Sequence, residues 1–434
     1  MKKSNIIRYI LHSLLYIGMQ MGTLCTPSMV QAQESIVVHE KGTNRTDTIE
    51  LPTSMSYPLD SLLHDWKAKT YISPNKDCST SDINPQFSDS IYIDRLSRMP
   101  TVIEMPYNEV VRACIDRYTG KLRNQVSFML SAANFYMPII EEALDAYDLP
   151  LELKYLPIIE SALNPTATSR AKASGLWQFM LNTGKLYGLE NNSYVDERRD
   201  PIKSTWAAAR YLKELYTIYN DWNLVIAAYN CGPGNINKAI RRSGGKTDYW
   251  AIYNYLPRET RGYVPAFIAA NYVMNYYCQH NICPMETDIP AHTDTVMVNR
   301  NLHFEQIANL CRIDIEQLKS LNPQYKRNII PGDSKPQTLR LPMTHISAFI
   351  DLQDTIYNHR YAELFKNRRV VAASNGNSSK AVAGKGTLTY HRIRSGENLG
   401  SIARRYGVTV KQIQSWNGMR NTRITAGKRL KIYR

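Results

Sequence analysis

The chain has 434 residues, 43% of them hydrophobic, which is enough for two or more domains and at least one sizeable core. Beyond the N-terminus no run approaches the roughly 20 apolar residues that cross a bilayer, so a polytopic membrane protein is excluded and any membrane association does not use a transmembrane helix. The net charge is +15, and between Lys385 and Arg434 twelve Lys and Arg stand against the single acid Glu397, which assigns much of the excess to the last module.

At the N-terminus Lys2, Lys3 and Arg8 precede an apolar run from Tyr9 to about Met21, and Val30-Gln31-Ala32 supplies the small residues that signal peptidase requires. Residues 1–32 therefore read as a cleaved export signal. A lipoprotein with Cys25 lipidated is the rival reading, against which Leu24 occupies the place of a small residue. Export puts the chain in the periplasm or cell envelope, with outer-membrane association left open. It removes nucleic acid from the partners within reach and favours anionic groups of the envelope. Without Cys25 an even set of six cysteines remains, Cys78, Cys114, Cys231, Cys278, Cys283 and Cys311, in an oxidising compartment. Their pairing stays open, and buried free thiols are as good a reading as disulfides. Their spacings fit no zinc pattern, so neither a metal nor a cofactor is expected.

Residues 33–103 are polar and irregular and read as a spacer. From 104 to 285 apolar residues recur at spacings of three and four, with stops at Gly and Pro and no convincing alternating strand, which predicts an all-helical domain. Asp200-Pro201 is a helix start: Asp200 can cap free amides, Pro201 fits the first turn, and Trp206, Ala209, Leu212 and Tyr216 then form a stripe. Further on, Ile307-Ala308, Ile313, Leu318 and Leu321-Asn322 return as Ile402-Ala403, Val408, Ile413 and Trp416-Asn417 at an offset of about 95 positions. Each copy, 293–343 and 388–434, reads as a short strand, two helices and a closing strand. Between them 344–387 reads as a helix and a flexible linker, Ser374 to Gly386 being rich in Ser, Gly, Asn and Ala.

The candidate for chemistry is Glu160. Leu153, Leu156, Glu160 and Leu163 follow spacings of three, four and three, which sets the acid on an apolar helix face. Desolvation there disfavours the ionised carboxyl and raises its pKa, as a general acid near neutral pH requires. A boundary Glu paired with a surface Arg or Lys is the plainer alternative. Pro157, read as lying inside the helix, adds a bend one turn before the acid.

Three segments join Leu156-Pro157-Ile-Ile-Glu160-Ser161 to make a pattern: Gly175-Leu-Trp-Gln-Phe-Met180 with Thr183-Gly184, then Ala228-Tyr-Asn-Cys-Gly-Pro-Gly234, then Glu259-Thr-Arg-Gly-Tyr263-Val264. Together they resemble the lytic transglycosylases of the goose-type lysozyme superfamily, of the membrane-bound lytic murein transglycosylase D type. The repeat resembles LysM peptidoglycan-binding modules, the second copy clearly and the first in degenerate form. The resemblance implies a mainly α architecture, a lysozyme-like helical domain at 104–285 followed by two small α+β LysM-like modules, with peptidoglycan glycan strands as partner.

It also implies Glu160 as the sole acid and base of a cleavage between N-acetylmuramic acid and N-acetylglucosamine. Closure of the sugar's C6 hydroxyl onto its own ring would leave a 1,6-anhydro end and make a second carboxylate unnecessary. Ser161, Gln178, Thr183, Tyr229, Asn230 and Tyr263 would bind substrate, since hydroxyls, amides and aromatic faces suit sugars. Taken singly, Tyr229 and Tyr263 are equally core aromatics, Asn230 a helix C-cap before Gly232, and Trp177 either packing or cleft floor. Asp200 is read as a cap and Glu259 as a loop residue between Pro257 and Gly262. A hydrolytic muramidase and a catalytically inactive wall-binding protein are the rival functions, and oligomeric state is not legible.

Overall fold

A computed structural model of the chain describes residues 34–39, 46–59, 62, 83–285, 290, 292–365, 388–394, 397–419, 421–422, 424–425 and 427–433. The export-signal and Ser/Gly-linker readings fall outside these residues. The chain divides into two units, 1–369 and 370–434.

The first unit opens with a hairpin where the sequence reads as a spacer. Strands β1 (Ser35–His39) and β2 (Thr46–Glu50) pair antiparallel with Ile36 opposite Ile49. Ile49 and Leu51 are fully buried, and Leu51, Met55, Tyr92 and Leu96 belong to the same core as the helices that follow. Such short apolar islands in a polar stretch carry no periodicity, yet they are covered once a helical domain lies against them.

That domain comprises α1 (Asp89–Ser97), α2 (Glu109–Thr119), α3 (Arg123–Ala146), α4 (Leu156–Ser161), α5 (Leu181–Leu186), α6 (Pro201–Tyr219), α7 (Trp222–Cys231), α8 (Pro233–Arg242), α9 (Tyr249–Ile252) and α10 (Arg258–Tyr276). Side-chain oxygens start several of them. Asn108 accepts from the Val111 amide at 3.0 Å, Asp200 from Ile202 and Lys203 at 3.0 Å each, and Asp221 from Leu224 at 2.7 Å. Helix α6 buries Ala208, Ala209, Leu212 and Leu215, whereas Trp206 stays partly exposed beside Tyr147, so its inward stripe is turned from the one read in the sequence. Helix α10 is buried without interruption from Gly262 to Met274, as expected of a helix apolar on all sides, and forms the centre of the domain.

The two repeat copies have the expected alternation. In the first, β3 (Thr293–Val298) pairs antiparallel with β6 (Gln337–Pro342), and β4 (Asn301–His303) with β5 (Ile329–Pro331), around α11 (Phe304–Cys311) and α12 (Ile315–Leu321). Helices α13 (Ile346–Asp351), α14 (Gln353–Asn358) and α15 (Tyr361–Leu364) follow. They fold back on this module, because Gln306 donates its side-chain amide to the carbonyls of Ile356, Tyr357 and His359. The module is joined to the helical domain by backbone bonds, Lys326 N to Tyr194 O at 2.7 Å and Asp196 N to Gln324 O at 2.9 Å. In the second unit β7 (Leu388–Arg392) and β8 (Arg429–Tyr433) pair antiparallel beside α16 (Leu399–Tyr406) and α17 (Val410–Trp416), with Ile402, Ile413 and Ile432 fully buried.

Among the described residues Cys114, Cys231, Cys278 and Cys311 are free thiols, and Cys283 is disulfide-bonded. Among the same residues no helix is long and apolar enough to cross a membrane, and no three His, Cys, Asp or Glu side chains gather as a metal site.

Candidate active site

The helix that carries Glu160 is six residues long and stops abruptly. Pro157 stands in its first turn, where a missing amide leaves no bond unmade, so it starts the helix and does not bend it. At the other end Ala162 and Leu163 take left-handed φ of 52° and 60°, and their amides return to the carbonyls of Ile158 and Pro157. Leu163 is buried but lies beyond the helix, so the apolar face under Glu160 is made by Leu153, Leu156 and Ile159 together with neighbouring elements. The stop leaves Glu160 half-buried at the wall of a cleft of about 440 Å³.

Three other segments converge there. The loop before α5 is shaped by Gly175, at φ 91°, where a Cβ would lie 1.8 Å from the Arg198 carbonyl, so only glycine fits. Gln178, itself at φ 45°, anchors its amide nitrogen on the carbonyls of Gly175 at 2.8 Å and Ala167 at 3.2 Å, which leaves its Oε1 buried without a hydrogen-bond partner among the described residues. At the end of α7 the Tyr229 hydroxyl donates to Trp177 O at 2.8 Å, and Asn230 Oδ1 accepts from the Thr260 hydroxyl at 2.8 Å. From α10 the Tyr263 hydroxyl donates to Glu160 Oε1. Trp177 is fully buried and bonds Thr205 through its indole nitrogen at 2.9 Å, so it is packing and not cleft floor.

Burial pushes the Glu160 carboxyl up to about 8, against the opposing effect of the Tyr263 hydrogen bond, and the Glu259 carboxylate adds to the rise. The Tyr263 and Tyr229 phenols are both raised well above their ordinary value, by burial first and by the Glu160 charge second. A carboxyl in this state is protonated at neutral pH and can deliver a proton to an oxygen in the cleft.

The chain matches the Transglycosylase SLT domain model over residues 137–252, the lytic transglycosylase MltD LysM-like domain over 292–358 and the LysM domain over 391–432. It is 31% identical over 334 residues to the membrane-bound lytic murein transglycosylase D of Escherichia coli K12, covering 76% of this chain and 70% of that protein. The chain belongs to the membrane-bound lytic murein transglycosylase D family. It is a peptidoglycan lytic transglycosylase of the cell envelope, with a lysozyme-like helical domain. The soluble lytic murein transglycosylase of the same organism is 33% identical over 124 residues, 27% of this chain and 19% of that one. The crystal structure of the 70 kDa soluble lytic transglycosylase from Escherichia coli is 25% identical, covers 41% of this chain and 31% of that chain, and gives a TM-score of 0.31.

In this family member the cleft brings together Glu160, Gln178, Thr183, Tyr229, Asn230 and Tyr263. Ser161 is not among its lining residues. Its side chain is fully buried and its hydroxyl bonds the carbonyls of Leu176 at 2.9 Å and Pro157 at 3.1 Å, because the residue after Glu160 on so short a helix points back into the domain. The serine ties the Gly175 loop to the Glu160 helix. Glu259 is corrected from its reading as a loop residue. It sits in the first turn of α10 and lines the cleft, since Pro257 precedes that helix and Gly262 lies within it. A proline just ahead of an apolar run is a helix-start signal that could have located it. Pro52, Thr53, Met180 and Tyr211 also line the cleft and went unrecognised. For Pro52 and Thr53 the sequence holds no signal.

Proposed function

We propose that Glu160 is both acid and base of a ring-closing cleavage between N-acetylmuramic acid and N-acetylglucosamine. In its protonated form it gives its proton to the bridging oxygen, which departs as a hydroxyl of N-acetylglucosamine. The carboxylate left behind takes the proton of the muramic acid C6 hydroxyl as that oxygen bonds to C1. One C–O bond breaks, another forms, Glu160 is restored and no water is consumed, so the product is lighter by one water than a hydrolytic one. The observation that carries this reading is the Tyr263 hydroxyl bonded to a carboxyl that burial raises to about 8. Together they aim a proton-bearing group into the cleft. The Glu259 carboxylate supports the same state, because a second negative charge disfavours ionisation of Glu160.

Gln178, Thr183, Tyr229 and Asn230 hold the sugars in this scheme. The Gln178 Oε1, without a partner among the described residues, is an acceptor for an N–H such as that of an N-acetyl group, and the Tyr229 ring offers its face because its hydroxyl is engaged. The basic second unit retains the exported enzyme on the wall.

Glu160→Gln should fold as the wild type does and lose at least about a hundredfold to ten-thousandfold in turnover, since glutamine packs alike but delivers no proton. The measurement is muropeptide release from purified sacculi with product masses, controlled by circular dichroism. Release by folded Glu160→Gln at the wild-type rate, or wild-type products heavier by one water, would overturn the reading.

A further inference from the structure

Residues 46–57 lie far in sequence from every motif of the site, yet they are built into it. Strand β2 packs against α10, and the 3-10 turn Thr53–Ser56 packs against α4, the helix of Glu160. The approach to α10 is made possible by Gly262, the residue before Tyr263, where a Cβ would come within 2.3 Å of the Glu50 carbonyl and 2.8 Å of Ile49 Cγ2. The glycine of the Glu-Thr-Arg-Gly-Tyr motif therefore admits this strap beside the tyrosine that holds the acid. Leu51 and Met55 pin the strap into the core, and the Ser54 hydroxyl donates to Ile159 O at 2.5 Å, on the residue before Glu160. Pro52 and Thr53 line the same cleft as Glu160. No hydrogen bond to the Thr53 hydroxyl is made by the described residues, and the turn ends at Tyr57, whose buried hydroxyl also has none.

We propose that this strap is a working wall of the cleft, in which Thr53 contacts the glycan strand and Ser54 is a positioning residue that fixes the turn bearing Glu160. A threonine hydroxyl that no described residue engages, at a sugar-binding wall, is a donor and acceptor ready for a sugar hydroxyl. The Ser54 bond limits how far the last turn of α4 can move, which keeps the carboxyl desolvated. The proximity is also electrical: burial and the Glu160 charge together push the Tyr57 phenol up to about 12. The inference rests on the reading of Glu160 as the acid.

The test uses the full chain acting on a soluble glycan oligomer, with Glu160→Gln run alongside. Thr53→Val, which keeps the shape and removes the hydroxyl, should raise KM about three- to tenfold with kcat within about twofold and melting unchanged. Thr53→Ser should restore the wild-type KM. Ser54→Ala should lower kcat at constant KM and move the alkaline limb of the pH–rate profile to lower pH, and Ser54→Thr should reverse both. A wild-type KM in folded Thr53→Val, or an unmoved pH limb and kcat in folded Ser54→Ala, would overturn the proposal. If those results came with an inactive Glu160→Gln, the strap would be structural alone while the acid stood. An active Glu160→Gln would remove the underlying reading itself.

Discussion

A carboxyl whose charged form is disfavoured by burial holds its proton more tightly in the folded chain than in the unfolded one. For Glu160 the interval runs from the ordinary value of 4.5 to about 8. Across it the folded state binds more protons than the unfolded state, so this residue's contribution to stability falls as pH rises through the interval and is lowest above about 8. Glu160→Gln carries no such dependence. It should therefore melt above the wild type at pH 9, with the difference shrinking as pH is lowered towards 4.5, which calorimetry across that range reads directly. A difference independent of pH would mean that Glu160 titrates as an ordinary surface carboxyl. At the same scale Ser161 follows Glu160 along the chain yet is buried and is not among the residues that line the cleft, because on a helix the next residue points about 100° away.

Helix starts were the most legible elements, since a cap acts on amides two or three residues away and needs nothing from the rest of the chain. Asp200 does this for α6, accepting from the Ile202 and Lys203 amides inside a buried corner. Asp200→Ala should destabilise the chain by about 1–2 kcal/mol. It should lower the denaturant midpoint without altering the slope, while cleavage by the folded fraction persists. Helix ends were less legible. The left-handed stop at Ala162 and Leu163 uses residues with no preference for that conformation, so tertiary packing has to hold it, and the stripe drawn through Leu163 ran one turn too far. The hairpin of β1 and β2 was invisible for a related reason: strands of five residues each, lying on a helical domain, present too short a pattern to register as period two.

At the scale of the whole chain the two wall-binding modules differ in how they are attached. The first is bonded into the first unit through the Tyr194–Asp196 and Gln324–Lys326 backbones and through Lys335, paired with Glu190 at 2.5 Å and near Glu197 at 3.8 Å. The second forms a unit of its own with a separate core around Ile402, Ile413 and Ile432. Removal of residues 388–434 should thus weaken retention on insoluble peptidoglycan and leave cleavage of short soluble glycans nearly intact, because a tether raises local concentration without reshaping the cleft. Pelleting with sacculi and turnover of a soluble oligomer measure the two effects separately. A truncated chain that pelleted as fully as the intact one would show that the second unit is not the anchor.

From sequence alone came the helical domain, the duplicated α+β module, the cap at Asp200 and the candidacy of Glu160, because each rests on spacing within a few turns or on ordered motifs. The tertiary structure decided what surrounds the acid. The Tyr263 hydroxyl reaches Glu160 across 103 positions and the Ser54 hydroxyl reaches Ile159 across 105. Contacts of that range leave no periodic trace in either partner's neighbourhood. Only the fold could turn Ser161 inward, bring Glu259 to the cleft and set Thr53 in its wall, because burial and the pKa that follows from it belong to an assembled environment and not to a segment.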